Sequence, residues 1–192
     1  MDELNLLNII EKYIELPNNF GLVSVENELR NNKEISIYRF QNNREFSLNG
    51  PRITLILNKN QGIESFKNYS TCNNKKLLSL DKAKLKALKV FKSIDCEYAR
   101  GLSFMRIEKQ SRDIIENGKN KAFTVQWIKF SHSNGSYNWV TLGGDGEIIE
   151  IERNSYWDYT KGRRKTEMWD NDDWVLARKK LGPQLPSPNA LA

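Results

Sequence analysis

Residues Phe123–Tyr156 carry the clearest strand pattern of the chain. They read FTVQWIKF over residues 123–130, SHSNGS over 131–136, YNWVTL over 137–142, GGDG over 143–146 and EIIEIERN over 147–154. The three apolar segments are rich in β-branched and aromatic residues, which favour strands. The two segments between them carry the Asn, Asp and Gly residues that tight reversals need. The stretch therefore predicts a three-stranded antiparallel meander in which the Gly-Asp-Gly sequence is a turn and not a ligand site.

A similar order of elements precedes this stretch. A helix that ends before Pro17 is followed by strands at 22–29, 35–40 and 53–57 and by a turn at Gly62, and a second helix begins near Ser79. We expect an α+β fold of two tandem helix-plus-antiparallel-sheet modules, one at residues 1–70 and one at 79–156, joined by a polar linker at 70–79. The alternative is two unrelated α+β modules of similar pattern. The sequence does not indicate whether the halves share one sheet.

The second module has three recognisable features: the Ala83 and Ala87 spacing in its helix, the strand ending at Trp127–Phe130, and the Gly144–Gly146 turn before an apolar strand. In these features residues 79–153 resemble the PepSY-like modules of bacterial proteins and protease propeptides, and the related YcdB/YcdC-type repeats. The resemblance implies a cystatin-like fold of a helix on a sheet. It also implies a non-catalytic role, in which the module contacts or restrains a peptidase or another bacterial protein.

Charge and cysteine content limit the classes of function. The net charge is +6, from 30 basic and 24 acidic residues, and the scattered lysines are typical of a solvated surface. Cys72, Cys96 and the single His132 are too few and too far apart for a zinc site, so we expect no metal and no cofactor. Acids near the N-terminus and the lack of an apolar run of about 18 residues predict a cytoplasmic protein with reduced thiols and no membrane contact.

The segment 157–192 differs in composition from the rest. We expect a short helix capped by Asp170, with Asp172 and Asp173 in its first turn and Arg178 near its end, which accounts for these acids without a metal. The proline-rich residues 182–192 are either a disordered tail or a strap on the body of the protein.

Aromatic and basic residues crowd the start of this segment and form the candidate partner-binding site: Tyr156, Trp157, Tyr159, Arg163, Arg164, Trp169 and Trp174. They predict either a contact surface or a small satellite core in which tryptophans cover the sheet. If they form a contact surface, a protein partner is favoured over nucleic acid, because Trp, Tyr and Arg anchor protein interfaces and the nearby aspartates repel phosphate.

No catalytic motif emerges. Glu150 and Glu152 share one face of a predicted strand, where we expect them to point to water, and His132 lies in a polar turn without an evident partner. The sequence therefore favours a non-enzymatic protein-binding or inhibitory module. The alternatives are a small basic nucleic-acid-associated protein and an enzyme whose site is assembled only in the fold. The oligomeric state stays open.

Overall fold

A single antiparallel sheet organises the chain. The computed structural model describes residues 3–70, 72 and 74–192, so Thr71 and Asn73 of the predicted linker lie outside the described residues. The strands are β1 (Phe20–Arg30), β2 (Lys33–Asn42), β3 (Arg52–Asn58), β4 (Ile63–Tyr69), β5 (Leu102–Glu116), β6 (Lys119–His132), β7 (Tyr137–Leu142), β8 (Ile148–Ser155), β9 (Trp157–Asp158) and β10 (Arg163–Arg164). The helices are α1 (Glu3–Ile10), α2 (Leu80–Ile94), α3 (Cys96–Arg100) and α4 (Asp172–Arg178).

The predicted fold of two tandem modules is wrong. Strands β1 to β8 form one sheet in the order β1-β2-β3-β4-β8-β7-β6-β5, and β9 and β10 form a separate hairpin. The two four-stranded meanders meet where β4 pairs with β8, with Phe66 opposite Ile151. Because β4 and β8 are each paired on both sides, neither half ends in a free edge strand at this point. The halves therefore merge into one mostly β structure with short helices.

One face of the sheet carries the main hydrophobic core. Leu6 of α1 and Ala83, Ala87 and Phe91 of α2 pack in the same cluster as residues from both meanders. The ring of Phe91 meets that of Phe130 edge to face at 5.6 Å between centroids. Because the helices of both halves share this cluster, neither half has a core of its own.

On the opposite face, the C-terminal segment covers the N-terminal meander. Trp169, Trp174 and Ala190 from the C-terminal segment pack on Ile37 and Ile56, residues of β2 and β3. The indole N–H of Trp174 donates to the Ala190 carbonyl at 3.1 Å, and the Arg164 N–H donates to the Pro188 carbonyl at 2.9 Å. Residues 183–192 are therefore a strap on the body, the second of the two predicted arrangements, and we call them the C-terminal strap.

Local predictions hold well in the meander. Strands β6, β7 and β8 follow the predicted order, and Asp145 and Gly146 take positive φ angles of 55° and 76° in the predicted turn. Helix α4 begins one residue later than predicted, because the Asn171 side chain, and not that of Asp170, accepts the cap hydrogen bond from the Trp174 N–H. Asp170 is instead buried beside Lys67.

Hairpin β5–β6 contains the two longest strands of the sheet. Strand β5 runs to Glu116, and Asn117 and Gly118 form the turn with φ angles of 52° and 70°. The outer part of the hairpin lies against the polar face, where Ile114 is buried in a cluster with Tyr69. Among the described residues, no helix is long and apolar enough to cross a membrane.

Candidate functional site

The strand register places two rows of polar and aromatic residues side by side on the face away from α1 and α2. The first row crosses five strands: Arg106, Lys129, Trp139, Glu152 and Ser65. The second row, two residues away along each strand, is Glu108, Trp127, Thr141, Glu150 and Lys67. Because directly opposite residues in an antiparallel sheet project to the same side, the register alone assembles this surface.

The surface is the floor and wall of a groove. Its volume is about 550 Å³, and the C-terminal segment forms the wall opposite hairpin β5–β6 through Trp157, Arg164 and Asn189. The open part of this groove is lined by Arg106, Trp127, Lys129, Tyr137 and Trp139, and we call it the aromatic groove.

Glu150 is the centre of a buried network in the floor. Arg112 donates two hydrogen bonds to its carboxylate at 2.8 and 3.0 Å, and the Tyr69 hydroxyl donates a third at 2.6 Å. Thr141 also donates to it. Burial by itself raises the pKa of Glu150, but Arg112, together with Lys67 and Thr141, outweighs burial and holds the pKa at about 2. Glu150 is therefore an ionised structural anion and a poor proton acceptor near neutral pH.

A second buried network joins the floor to the C-terminal segment. Arg30 and Arg164 both donate to Glu152, which is 2% exposed. Asp170 lies 3.0 Å from the Lys67 ammonium. Burial raises the pKa of Glu152 against the opposing effect of the two guanidiniums, whereas Lys67 keeps the pKa of Asp170 far below its usual value despite burial. The expectation that Glu150 and Glu152 point to water is wrong, because their distant basic partners bury them.

The aromatic groove itself holds cations between rings. The Lys129 ammonium lies 3.8 Å from the centroid of Tyr137 and 5.4 Å from that of Trp127. The Arg106 guanidinium lies 5.5 Å from the centroid of Trp127. Trp127 and Trp139 lie 5.7 Å apart with their planes tilted by 56°. Burial lowers the pKa of Lys129, and the charge of Arg106 lowers it further.

The structure divides the predicted partner-binding residues into two groups. Trp157 and Arg164 line the groove, and the Tyr159 hydroxyl is hydrogen-bonded to that of Tyr137 at its margin. Arg163 pairs with Asp158 in the small hairpin. Tyr156 faces a separate depression that is also lined by Asn31 and Lys165.

Trp169 and Trp174 belong to the second group, because the C-terminal segment uses them as core. Trp174 is fully buried and Trp169 is 8% exposed, and their rings meet edge to face at 4.9 Å. The Trp169 indole N–H donates to the Leu29 carbonyl at 2.9 Å. A partner could reach neither ring without displacing the segment, and neither ring lines the groove.

The main groove residues were not singled out from the sequence. Trp127 and Lys129 alternate with the core residues Ile128 and Phe130, and Tyr137 and Trp139 alternate in the same way with buried positions of β7. That period of two was sufficient to place them on one face away from the core. The neighbouring strands were needed to show that this face is concave and uncovered.

The remaining chemical candidates have structural partners. The His132 ring stacks on Tyr98 at 4.0 Å, and its Nε2 lies 3.0 Å from the Tyr98 carbonyl. Asp172 accepts hydrogen bonds from Arg39 and from the Asn49 N–H. Within residues 3–70, 72 and 74–192, no three His, Cys, Asp or Glu side chains are grouped so that they could hold a metal ion.

Comparison with known proteins gives this chain no relative. No protein family, curated protein or solved structure matches it.

Proposed function

We propose that the protein is a non-catalytic binding module that holds a segment of a protein partner in the aromatic groove. The proposal rests on the difference between the paired carboxylates at the bottom of the groove and the aromatic rings at its opening. The buried carboxylates of the groove, Glu150, Glu152 and Asp170, are each paired with a partly buried cation. The opening presents half-buried Trp127, Trp139 and other rings instead.

The residues at the opening are of the types that anchor protein interfaces. Trp, Tyr and Arg side chains in a partly desolvated pocket supply most of the binding energy of many complexes. A groove of about 550 Å³ is large enough for a few side chains of a partner. The rings are held from below by the sheet and from the side by the C-terminal segment, so little conformational entropy is lost when a partner binds.

Nucleic acid is a second candidate because rings beside cations can stack bases and hold phosphates. Against it, Glu108, Glu150, Glu152 and Asp170 line the same groove. An enzymatic role receives less support, because the buried carboxylates are committed to ion pairs and no nucleophile–base pair faces the groove among the described residues. For location we propose the cytoplasm, in keeping with two free thiols at Cys72 and Cys96.

The test is affinity purification of the tagged protein from cells of its own source, in three versions. Proteins retained by the wild type and by Leu85→Ala, but lost with Trp139→Ala, are the expected partners. Leu85 is a matched control because it is 55% exposed on α2, on the other side of the sheet. Calorimetric titration with the purified partner should then show at least a tenfold loss of affinity for Trp139→Ala. Equal binding by all three versions would contradict the assignment of the groove.

A further inference from the structure

One of the cationic side chains that line the groove has no carboxylate partner among the described residues. The groove is lined by five cationic side chains, Lys67, Arg106, Arg112, Lys129 and Arg164, and by four carboxylates, Glu108, Glu150, Glu152 and Asp170. Four pairs account for all the carboxylates: Lys67 with Asp170, Arg112 with Glu150, Arg164 with Glu152, and Arg106 with Glu108. Arg30, which shares Glu152, lies outside the groove and also pairs with Glu64. Lys129 is the fifth cation, and it forms no ion pair with any residue that the structure describes.

The position of Lys129 makes this excess charge consequential. Its ammonium lies over the Tyr137 ring and near Trp127, and the side chain is only half-exposed. Aromatic faces stabilise a cation but replace its hydration only in part. An anion brought to this point would meet an ammonium that is already partly desolvated, where charge-assisted hydrogen bonds are strongest.

We infer, resting on the proposed function, that the partner segment presents one Asp or Glu side chain to Lys129, next to an apolar or aromatic residue that packs on Trp127 and Trp139. A single carboxylate matches the single unpaired cation. A nucleic-acid strand carries a phosphate at every nucleotide and would bring several charges against the four carboxylates of the groove. The charge balance therefore selects an acidic peptide over a polyanion.

Binding of a carboxylate should change the pKa of Lys129. A bound carboxylate favours the charged ammonium and raises the lowered pKa of Lys129 toward or above its ordinary value. Neutralising the peptide carboxylate removes this coupling, whereas the packing on the two tryptophans remains.

The test is selection of random nonapeptides displayed on phage against the immobilised wild-type protein. The strongest peptide is then synthesised together with its Asp→Asn or Glu→Gln form. We expect an acid beside an apolar or aromatic residue among the enriched peptides. We also expect at least a tenfold loss of affinity on Lys129→Met or on neutralising the peptide acid, and no loss on Lys82→Met. Lys82 is the control because it is exposed on α2, and circular dichroism checks that both variants are folded.

The other outcomes separate the two proposals. Enriched peptides that need Trp139 but contain no acid, or that bind Lys129→Met as well as the wild type, overturn the inference and leave the proposed function standing. No enrichment at all, or enrichment that is unchanged in Trp127→Ala and Trp139→Ala, overturns both. Tighter binding of a labelled dT12 oligonucleotide than of any peptide, lost in Lys129→Met, overturns both in favour of nucleic acid.

Discussion

The polar face of the sheet has a closed half and an open half, and both are built from the same kinds of residue. In the closed half, Trp169 and Trp174 are sealed against β2 and β3 by the C-terminal strap. In the open half, Trp127 and Trp139 on β6 and β7 stay half-exposed, although the Arg164 guanidinium of the C-terminal segment lies 5.4 Å from the centroid of Trp139. Aromatic and basic composition therefore does not distinguish core from contact surface. The two differ in whether another segment of the chain packs over the aromatic side chains.

The largest expected effect is a difference in stability between a tryptophan substitution in the closed half and one in the open half. Trp174→Ala removes a fully buried indole that lies against Trp169, and we expect a loss of about 3–5 kcal/mol in the free energy of unfolding. Trp139→Ala removes a half-buried ring and should cost under about 2 kcal/mol. Urea denaturation followed by circular dichroism measures both. Equal losses would show that the open half is core as well.

The free energy of unfolding should depend on pH through Glu150, which lies where β8 pairs with β4. Glu150 has a folded pKa of about 2 against an ordinary value of 4.5. Because the folded pKa is depressed, the stabilisation is present above the ordinary pKa and is lost as the pH falls from about 5 to 2. The shift corresponds to about 3 kcal/mol. Glu150→Gln should lower the unfolding free energy by about that amount at pH 7, and the difference from the wild type should nearly vanish at pH 2.

Glu97→Gln is the matched control for the pH series. Glu97 also pairs with an arginine, Arg100, but both side chains are largely exposed. Exposed pairs contribute well under about 1 kcal/mol, so this variant should follow the wild type across the pH series. A pH response of Glu150→Gln that matched the wild type would rule out the buried pair as a source of stability.

The third prediction is that deletion of the C-terminal strap exposes the closed half of the polar face. Deleting residues 183–192 removes the Ala190 carbonyl that accepts the Trp174 indole N–H, together with the apolar contact of Ala190. We expect a loss of about 2 kcal/mol in the free energy of unfolding. Acrylamide should also quench the total tryptophan fluorescence more strongly than in the wild type. Unchanged quenching and stability would mean that the strap does not cover Trp174.

Local patterns in the sequence predict much of this structure. The meander of β6, β7 and β8, the Asn117-Gly118 turn and the core face of α2 follow from alternation, turn chemistry and helical spacing. Their determinants lie within a few residues of each other, so composition and periodicity are sufficient.

The long-range features could not be predicted in the same way. The pairing of β4 with β8 joins positions more than 80 residues apart, and it merged the two expected modules. Glu152 is buried because Arg30, 122 residues away, reaches it. Trp157 and Trp174 look alike in sequence, yet the path of the C-terminal segment places one beside the groove and the other in the core.

The five tryptophan indoles permit the most direct test of the central claim, that the open half binds and the closed half holds the fold together. We would record ¹H–¹⁵N spectra of the indole groups while titrating the acidic peptide selected on the wild-type protein. We expect the signals of Trp127 and Trp139 to shift, while those of Trp169 and Trp174, held by the Leu29 and Ala190 carbonyls, stay in place. Shifts confined to Trp169 and Trp174, or a bound peptide that moves none of the five, would contradict the claim.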